Sequence, residues 1–145
     1  MTRQKKGKPD QGGFTLIELI IVVAVVAVLA SIAVPMYRDF VVRSNRSDAI
    51  ISLTELANLQ EKHYSNEMAY TTSFSALSYS TTSPEGFYEL NIATSATVDY
   101  TLIAEPLGQQ FQDDETCRQF TLNSFGQRSA QDSGGNDTSQ QCWNR

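Results

Sequence analysis

From Leu19 to Tyr37 the chain runs for 19 residues, LIIVVAVVAVLASIAVPMY, without a charged side chain. At 1.5 Å per helical residue this is about 28 Å, close to the ~30 Å hydrocarbon core of a bilayer. The run therefore reads as a helix that crosses a membrane. A cleaved secretory signal is the rival reading, but its apolar region should be shorter and end in an A-x-A site. Ala24, Ala27, Ala30 and Ala33 are spaced by three, so no A-x-A occurs, and Pro35 stands just past Ser31-Ile32-Ala33. Alanines three apart lie near one helix face, where small side chains let another helix approach closely in lipid. Pro35 lacks an N–H and crowds the carbonyl of Ser31, so a bend or local loosening is expected there.

Charge is split around this run. Arg3, Lys5, Lys6 and Lys8 against Asp10 leave residues 1–13 at +3, whereas the rest holds 7 basic and 15 acidic side chains, or −8. A short basic flank is the cytoplasmic side of a membrane helix, which puts everything beyond Tyr37 across the membrane. An exported domain this acidic is poorly suited to phosphate contact, so direct nucleic-acid binding is not expected. Some 100 residues beyond the run suffice for one lean domain. Cys117 and Cys142, an even count in an exported segment, suggest one disulfide.

At the lip of the run stands Glu18. Thr15-Leu16-Ile17-Glu18 fits a capping box, and the helix dipole favours an acid there. The wider stretch Gly12-Gly13-Phe14-Thr15-Leu16-Ile17-Glu18-Leu19, after a basic leader and before an apolar helix, resembles the type IV pilin signature. The resemblance implies cleavage after Gly13 by a prepilin peptidase on the cytoplasmic side, and methylation of the new N-terminal residue Phe14 by the same enzyme. It also places the family's filament-assembly residues on Phe14, Glu18 and Pro35. It implies no cofactor. The implied partners are other pilin subunits, the peptidase/methyltransferase, an inner-membrane assembly platform and the membrane itself. The implied location is a single pass in the inner membrane, then an extracellular pulled-out filament. Physically, removing the leader exchanges four cations for one α-ammonium able to neutralise Glu18. An unpaired carboxylate in lipid is unfavourable by about 2.5–3.5 kcal/mol at mid-helix and less at the edge.

Past Tyr37 the pattern stays helical but becomes one-sided. Ala49, Leu53, Leu56 and Tyr64 recur at helical spacing with Gln60 in the step between, and no Gly or Pro occurs between Met36 and Asn66. One helix over about residues 14–64 is expected, with Asp39 and Arg43 as an i, i+4 pair. Residues 65–86 read as a connecting loop in which Tyr70, Phe74, Leu77 and Tyr79 pack down. Alternation over Tyr88–Ile92, Val98–Ala104 and Arg118–Asn123 indicates three strands. The gap Ala93–Ala96 suggests a hairpin. Ser124-Phe125-Gly126-Gln127 reads as a turn into a short fourth strand. The fold class is thus α+β, a long helix on a small antiparallel sheet, and the resemblance to pilins covers nearly the whole chain in outline. In that family a disulfide closes the C-terminal region, which Cys117 and Cys142 match. The organisation expected is a leader at 1–13, a transmembrane and filament-core helix at 14–37, and a globular head at 38–145.

No catalytic constellation is legible, and no enzyme activity is expected. His63 is the lone histidine and reads as a surface or packing residue. Asp113-Asp114-Glu115 lacks the stricter calcium-loop pattern and reads as a solvated turn. The stretch 132–137, DSGGND, reads as a mobile tip, and Asn45-Arg46-Ser47 and Asn136-Asp137-Thr138 match a short glycosylation pattern. The function expected is a structural, minor subunit of a type IV pilus, whose family roles are twitching motility, adhesion and sometimes DNA uptake. Two alternatives stand beside it: a type II secretion pseudopilin, which shares leader, Glu18 and helix, and a membrane-anchored periplasmic binding or sensory domain whose anchor stays uncut.

Overall fold

In a computed structural model, residues 13–93 and 99–144 are described. The basic leader residues, Gly12, the hairpin connection and Val98 lie outside them. The chain divides into two compact units, the first ending at Arg38 and the second starting at Asp39. Helix α1, Leu16–Glu67, contributes to both.

The first unit contains the opening part of α1. No residue of its most apolar 18-residue stretch is buried. Among the described residues α1 is the one helix long and apolar enough to cross a membrane. Pro35 lies inside the helix without interrupting it. The hydroxyl of Ser31 donates to the Val28 carbonyl at 2.7 Å, so it does not serve the Ser31 carbonyl that Pro35 leaves without its donor.

In the second unit the later part of α1 turns Ala49, Leu53 and Leu56 into a core with no exposure at all. The spacing of those residues foretold this. Asp48, Ser52 and Gln60 are buried on the same side. Tyr64, expected in the stripe, is only half-buried, because it stacks on Tyr70 beside the helix end. The helix stops where Met68 takes a left-handed backbone (φ 54°), its N–H bonded to the Tyr64 carbonyl. The Asp39–Arg43 pair does not form as an ion pair. Arg43 Nε instead donates to the Asp39 main-chain carbonyl at 3.2 Å.

The connecting segment packs down as anticipated, with Leu77 buried and Tyr70, Phe74 and Tyr79 against the core. The sheet follows in sequence order: β1 Tyr88–Ala93, β2 Thr101–Pro106, β3 Gln119–Asn123 and β4 Arg128–Gln131, all antiparallel. Tyr88, Leu90, Leu102, Ala104, Phe120, Leu122 and Ala130 supply its buried face. The turn into β4 uses Gly126 at φ 74°, where a side chain is disfavoured. Two short helices were not foreseen, α2 Gly108–Asp113 and α3 Ser139–Trp143. At six and five residues they are too short to show a period.

Candidate functional site

The N-terminal motif sits in the open. A Cβ built on Gly13 would meet nothing within 4 Å, and Phe14 is 89% exposed. A peptidase needs that kind of access on both sides of the bond between them. Thr15 Oγ1 accepts the Glu18 N–H at 3.3 Å, and the Thr15 carbonyl starts the helix ladder by accepting from Leu19 N. One half of the capping box is therefore made. The Glu18 side chain makes no hydrogen bond or ion pair with the described residues. Its carboxylate is held at the start of an apolar helix and left available.

The head is fixed to its part of α1 by buried polar contacts that the sequence reading did not single out. Arg46 donates from Nε and Nη2 to the two Asp114 oxygens at 2.8 and 2.9 Å. The Asp114 side chain is 1% exposed, and it also accepts from Cys117 N at 3.0 Å and Gln110 Nε2 at 3.2 Å. Gln110 extends the network to the Val42 carbonyl and to Tyr88 Oη. The acidic run is thus no solvated turn: its middle residue is sequestered because it meets a guanidinium from the helix. Asn45 is committed to the same network, its Nδ2 donating to Gln110 Oε1, which disfavours it as a glycan acceptor. Asp48 accepts from Ser83 Oγ at 2.5 Å and from the N–H groups of Glu85 and Phe87. Gln60 pairs with both main-chain groups of Thr71. A polar residue on the apolar stripe was the one available signal for Asp48 and Gln60.

Cys117 and Cys142 are joined, with Cα atoms 5.9 Å apart, and close a loop of 25 residues in sequence separation. The stretch 132–137 is a tight turn rather than a loose tip. Asp132 accepts from the N–H groups of Gly134 and Asn136 and from Asn136 Nδ2. These donors hold its carboxyl below the usual range. His63 is half-buried on α1. Burial, with Glu55 as its hydrogen-bond partner, pushes the Tyr79 phenol up to about 12. Tyr88 and Tyr100 are raised further, by burial first and by Asp114 and Glu61 respectively. An open cleft of about 750 Å³ runs along α1 from Asp39 to Ile50, walled by Asp113, Thr116 and Cys142. Among the described residues no group of three or more His, Cys, Asp or Glu could hold a metal.

Comparison with known proteins agrees with this arrangement. The model of the family described as "Type IV minor pilin ComP, DNA uptake sequence receptor" matches residues 35–121. The model described as "Prokaryotic N-terminal methylation motif" matches residues 8–34. The type IV major pilin protein PilA of Myxococcus xanthus is 41% identical over 69 residues, 48% of this chain and 31% of the relative. Fimbrial protein EcpC of Eikenella corrodens is 57% identical over 42 residues, 29% of this chain and 28% of the relative. Type IV major pilin protein PilE1 of Neisseria gonorrhoeae is 43% identical over 56 residues, 39% and 34% respectively. The chain thus spans about a third of the length of these curated relatives. Among solved structures, the non-core minor pilin PilV of Neisseria meningitidis superposes with a TM-score of 0.54 at 21% identity, over 67% of this chain and 93% of that one. That likeness shows the fold: one long helix on a four-stranded antiparallel sheet. With the methylation motif at its start and the minor-pilin family across most of the remainder, the chain belongs to the type IV pilins, in the ComP minor pilin family.

Proposed function

We propose that this chain is a minor structural subunit of a type IV pilus, cut after Gly13, methylated on Phe14 and drawn from the inner membrane into the filament. In this reading the segment 14–37 is the membrane and filament-core helix and 38–145 is the head. The observation that carries it is the bare start of α1. An accessible Gly13-Phe14 bond stands next to a Glu18 without a partner among the described residues and an apolar segment that none of them buries. The α-ammonium released on Phe14 is the natural partner of Glu18, in the same chain or in a neighbour, since a carboxylate stacked among apolar helices without a counter-charge is costly. Pro35 belongs to the same packed segment, and the Cys117–Cys142 closure keeps the head intact outside the cell.

The test is N-terminal mass analysis of the chain in sheared surface filaments, with Glu18→Ala alongside. Methylated Phe14 as first residue, and loss of the alanine variant from filaments despite normal membrane insertion, are expected. A chain that still begins at Met1, or normal incorporation of the variant, overturns the reading. Finding the chain in secretion pseudopili alone, or in the membrane alone, would favour one of the alternatives.

The matching family model is described as a DNA uptake sequence receptor, and uptake through a pilus containing this subunit is compatible with the reading, as are motility and adhesion. A direct grip on DNA by this head is not part of it. The head is acidic, Arg46 is spent on Asp114, and Arg118 and Arg128 lie over the rings of Phe111 and Trp143. Duplex binding by the oxidised head at physiological salt, tested by gel shift, should be no tighter than the non-specific range of about 10⁻⁴–10⁻⁶ M. Tighter, sequence-dependent binding would reverse this point.

A further inference from the structure

The sheet has two edges, and they are closed in different ways. On β1, Leu90 N donates to the Thr81 carbonyl and the Tyr88 carbonyl accepts from Ser83 N. That cover is the chain entering the strand. On β4 the outward groups are those of Ala130. Its N–H donates to Ser139 Oγ at 2.9 Å and its carbonyl accepts from Thr138 N at 2.9 Å. Gln131 bridges to Asp137, and Trp143 Nε1 donates to the Ser129 carbonyl at 2.8 Å.

Residues 137–143 thus form a strap along the β4 edge, built from a hydroxyl, an amide and an indole rather than a fifth strand. Its further polar holds are Thr138 Oγ1, donating to the Thr116 carbonyl at 2.9 Å, and the Arg128 guanidinium over the Trp143 ring. Its helix α3 has five residues, far fewer than a helix needs to stand alone. Its apolar hold is Cys142 and the edge of Trp143 against Phe120. The covalent tie to Cys117, just before β3, anchors it to the next strand.

The bare strand would suit a second copy of itself. Arg128-Ser129-Ala130-Gln131 carries no Lys or Pro, and its one charge, Arg128, stands at the first position of the strand. Pairing two β4 strands antiparallel about Ala130 sets Ala130 opposite Ala130 and Ser129 opposite Gln131. It also sets Arg128 opposite Asp132, twice by symmetry. Opposite charges then meet at both ends of the new ladder.

We infer that the Cys117–Cys142 disulfide is the latch of this strap, and that without it the β4 edge opens and pairs with β4 of a second copy. The latch confines association of the oxidised chain to surfaces other than its sheet. Opening it chemically takes two electrons and two protons from a dithiol, which leaves as a disulfide while Cys117 and Cys142 become thiols. The inference does not depend on leader processing.

The test uses the full chain in detergent micelles, oxidised or as the Cys117→Ser/Cys142→Ser variant, followed by hydrogen exchange and light scattering. In the variant the Ala130 amide should exchange at least tenfold faster at low protein concentration, while Leu90 and Leu102 keep their protection. At higher concentration a dimer absent from the oxidised chain should form. Arg128→Glu in the variant background should weaken it at least tenfold, and adding Asp132→Arg should restore it. Dithiol treatment of the unsubstituted chain should reproduce the dimer. Unchanged protection at Ala130, uniform loss across the sheet, a dimer present equally in the oxidised chain, or indifference to the charge swap would each overturn the proposal.

Discussion

The two parts of α1 share one secondary structure and have opposite surroundings. Between Leu16 and Arg38 every large apolar side chain is more than half exposed, whereas Ala49, Leu53 and Leu56 are fully covered. Apart from the Ser31 carbonyl opposite Pro35, the first part satisfies its backbone within the helix, and the described residues leave its side chains uncovered. The second part finds its partner in the same chain, through an apolar stripe and a row of buried polar contacts. Forming a helix and completing its packing are therefore separate problems in this molecule.

Substitutions should respect that division. The largest effect is expected for Asp114→Ala, which leaves the Arg46 guanidinium without its counter-charge; loss of one partner of a buried pair costs about 3–5 kcal/mol. The head's thermal midpoint should fall by well over 10 °C, since 1 kcal/mol moves a domain of this size by about 4–8 °C. A shift of only a degree or two would mean that the pair is open in solution. Next, Leu53→Ala should cost about 2–5 kcal/mol, while the same kind of truncation at Val26 leaves the melt of the head unchanged and weakens only filament formation. Equal effects at the two positions would erase the contrast. Gln60→Ala, which strands the Thr71 amide and carbonyl, should cost about 1–3 kcal/mol, read in chemical denaturation.

The mildest lever is alkali. Tyr79, Tyr88 and Tyr100 are raised above the ordinary phenol value of 10.0, so the folded head prefers them protonated. Their contribution to stability is whole below about pH 10 and is lost as pH climbs toward and past 12, the Tyr79 value. Thermal midpoints of the head should hold steady to about pH 10 and fall beyond it, with phenolate absorbance rising together with unfolding. A smooth phenolate titration centred on pH 10 would contradict that burial.

Much of this was readable in advance because it is periodic. The 19-residue run, the stripe of Ala49, Leu53 and Leu56, and the alternation around Leu90, Leu102 and Phe120 each repeat with the geometry of their element. Motif spacing marked Gly13, Phe14 and Glu18, and two cysteines allowed one bridge. What escaped reading depends on distance across the fold. Arg46 and Asp114 are 68 residues apart in sequence, so an acid in a run of three gave no sign of being buried. The hydroxyl and indole that cover Ala130 belong to a C-terminal stretch with no pattern of its own. Asp39 and Arg43 show the reverse error, since correct spacing on a helix face does not oblige two exposed side chains to meet.

Two of the buried residues on α1 act as clasps for the chain that leaves it. Gln60 grips Thr71 and Asp48 grips the stretch from Ser83 to Phe87. They lie 12 positions apart, about 18 Å along the helix axis. Whatever is strung between them returns to the same take-off point for β1. The segment from residue 72 to 82 is in this sense a cassette with fixed ends: Leu77 and the Thr81 carbonyl tie it to the core and to β1, and its freedom to diverge is confined to exposed positions such as Ser75 and Ala76.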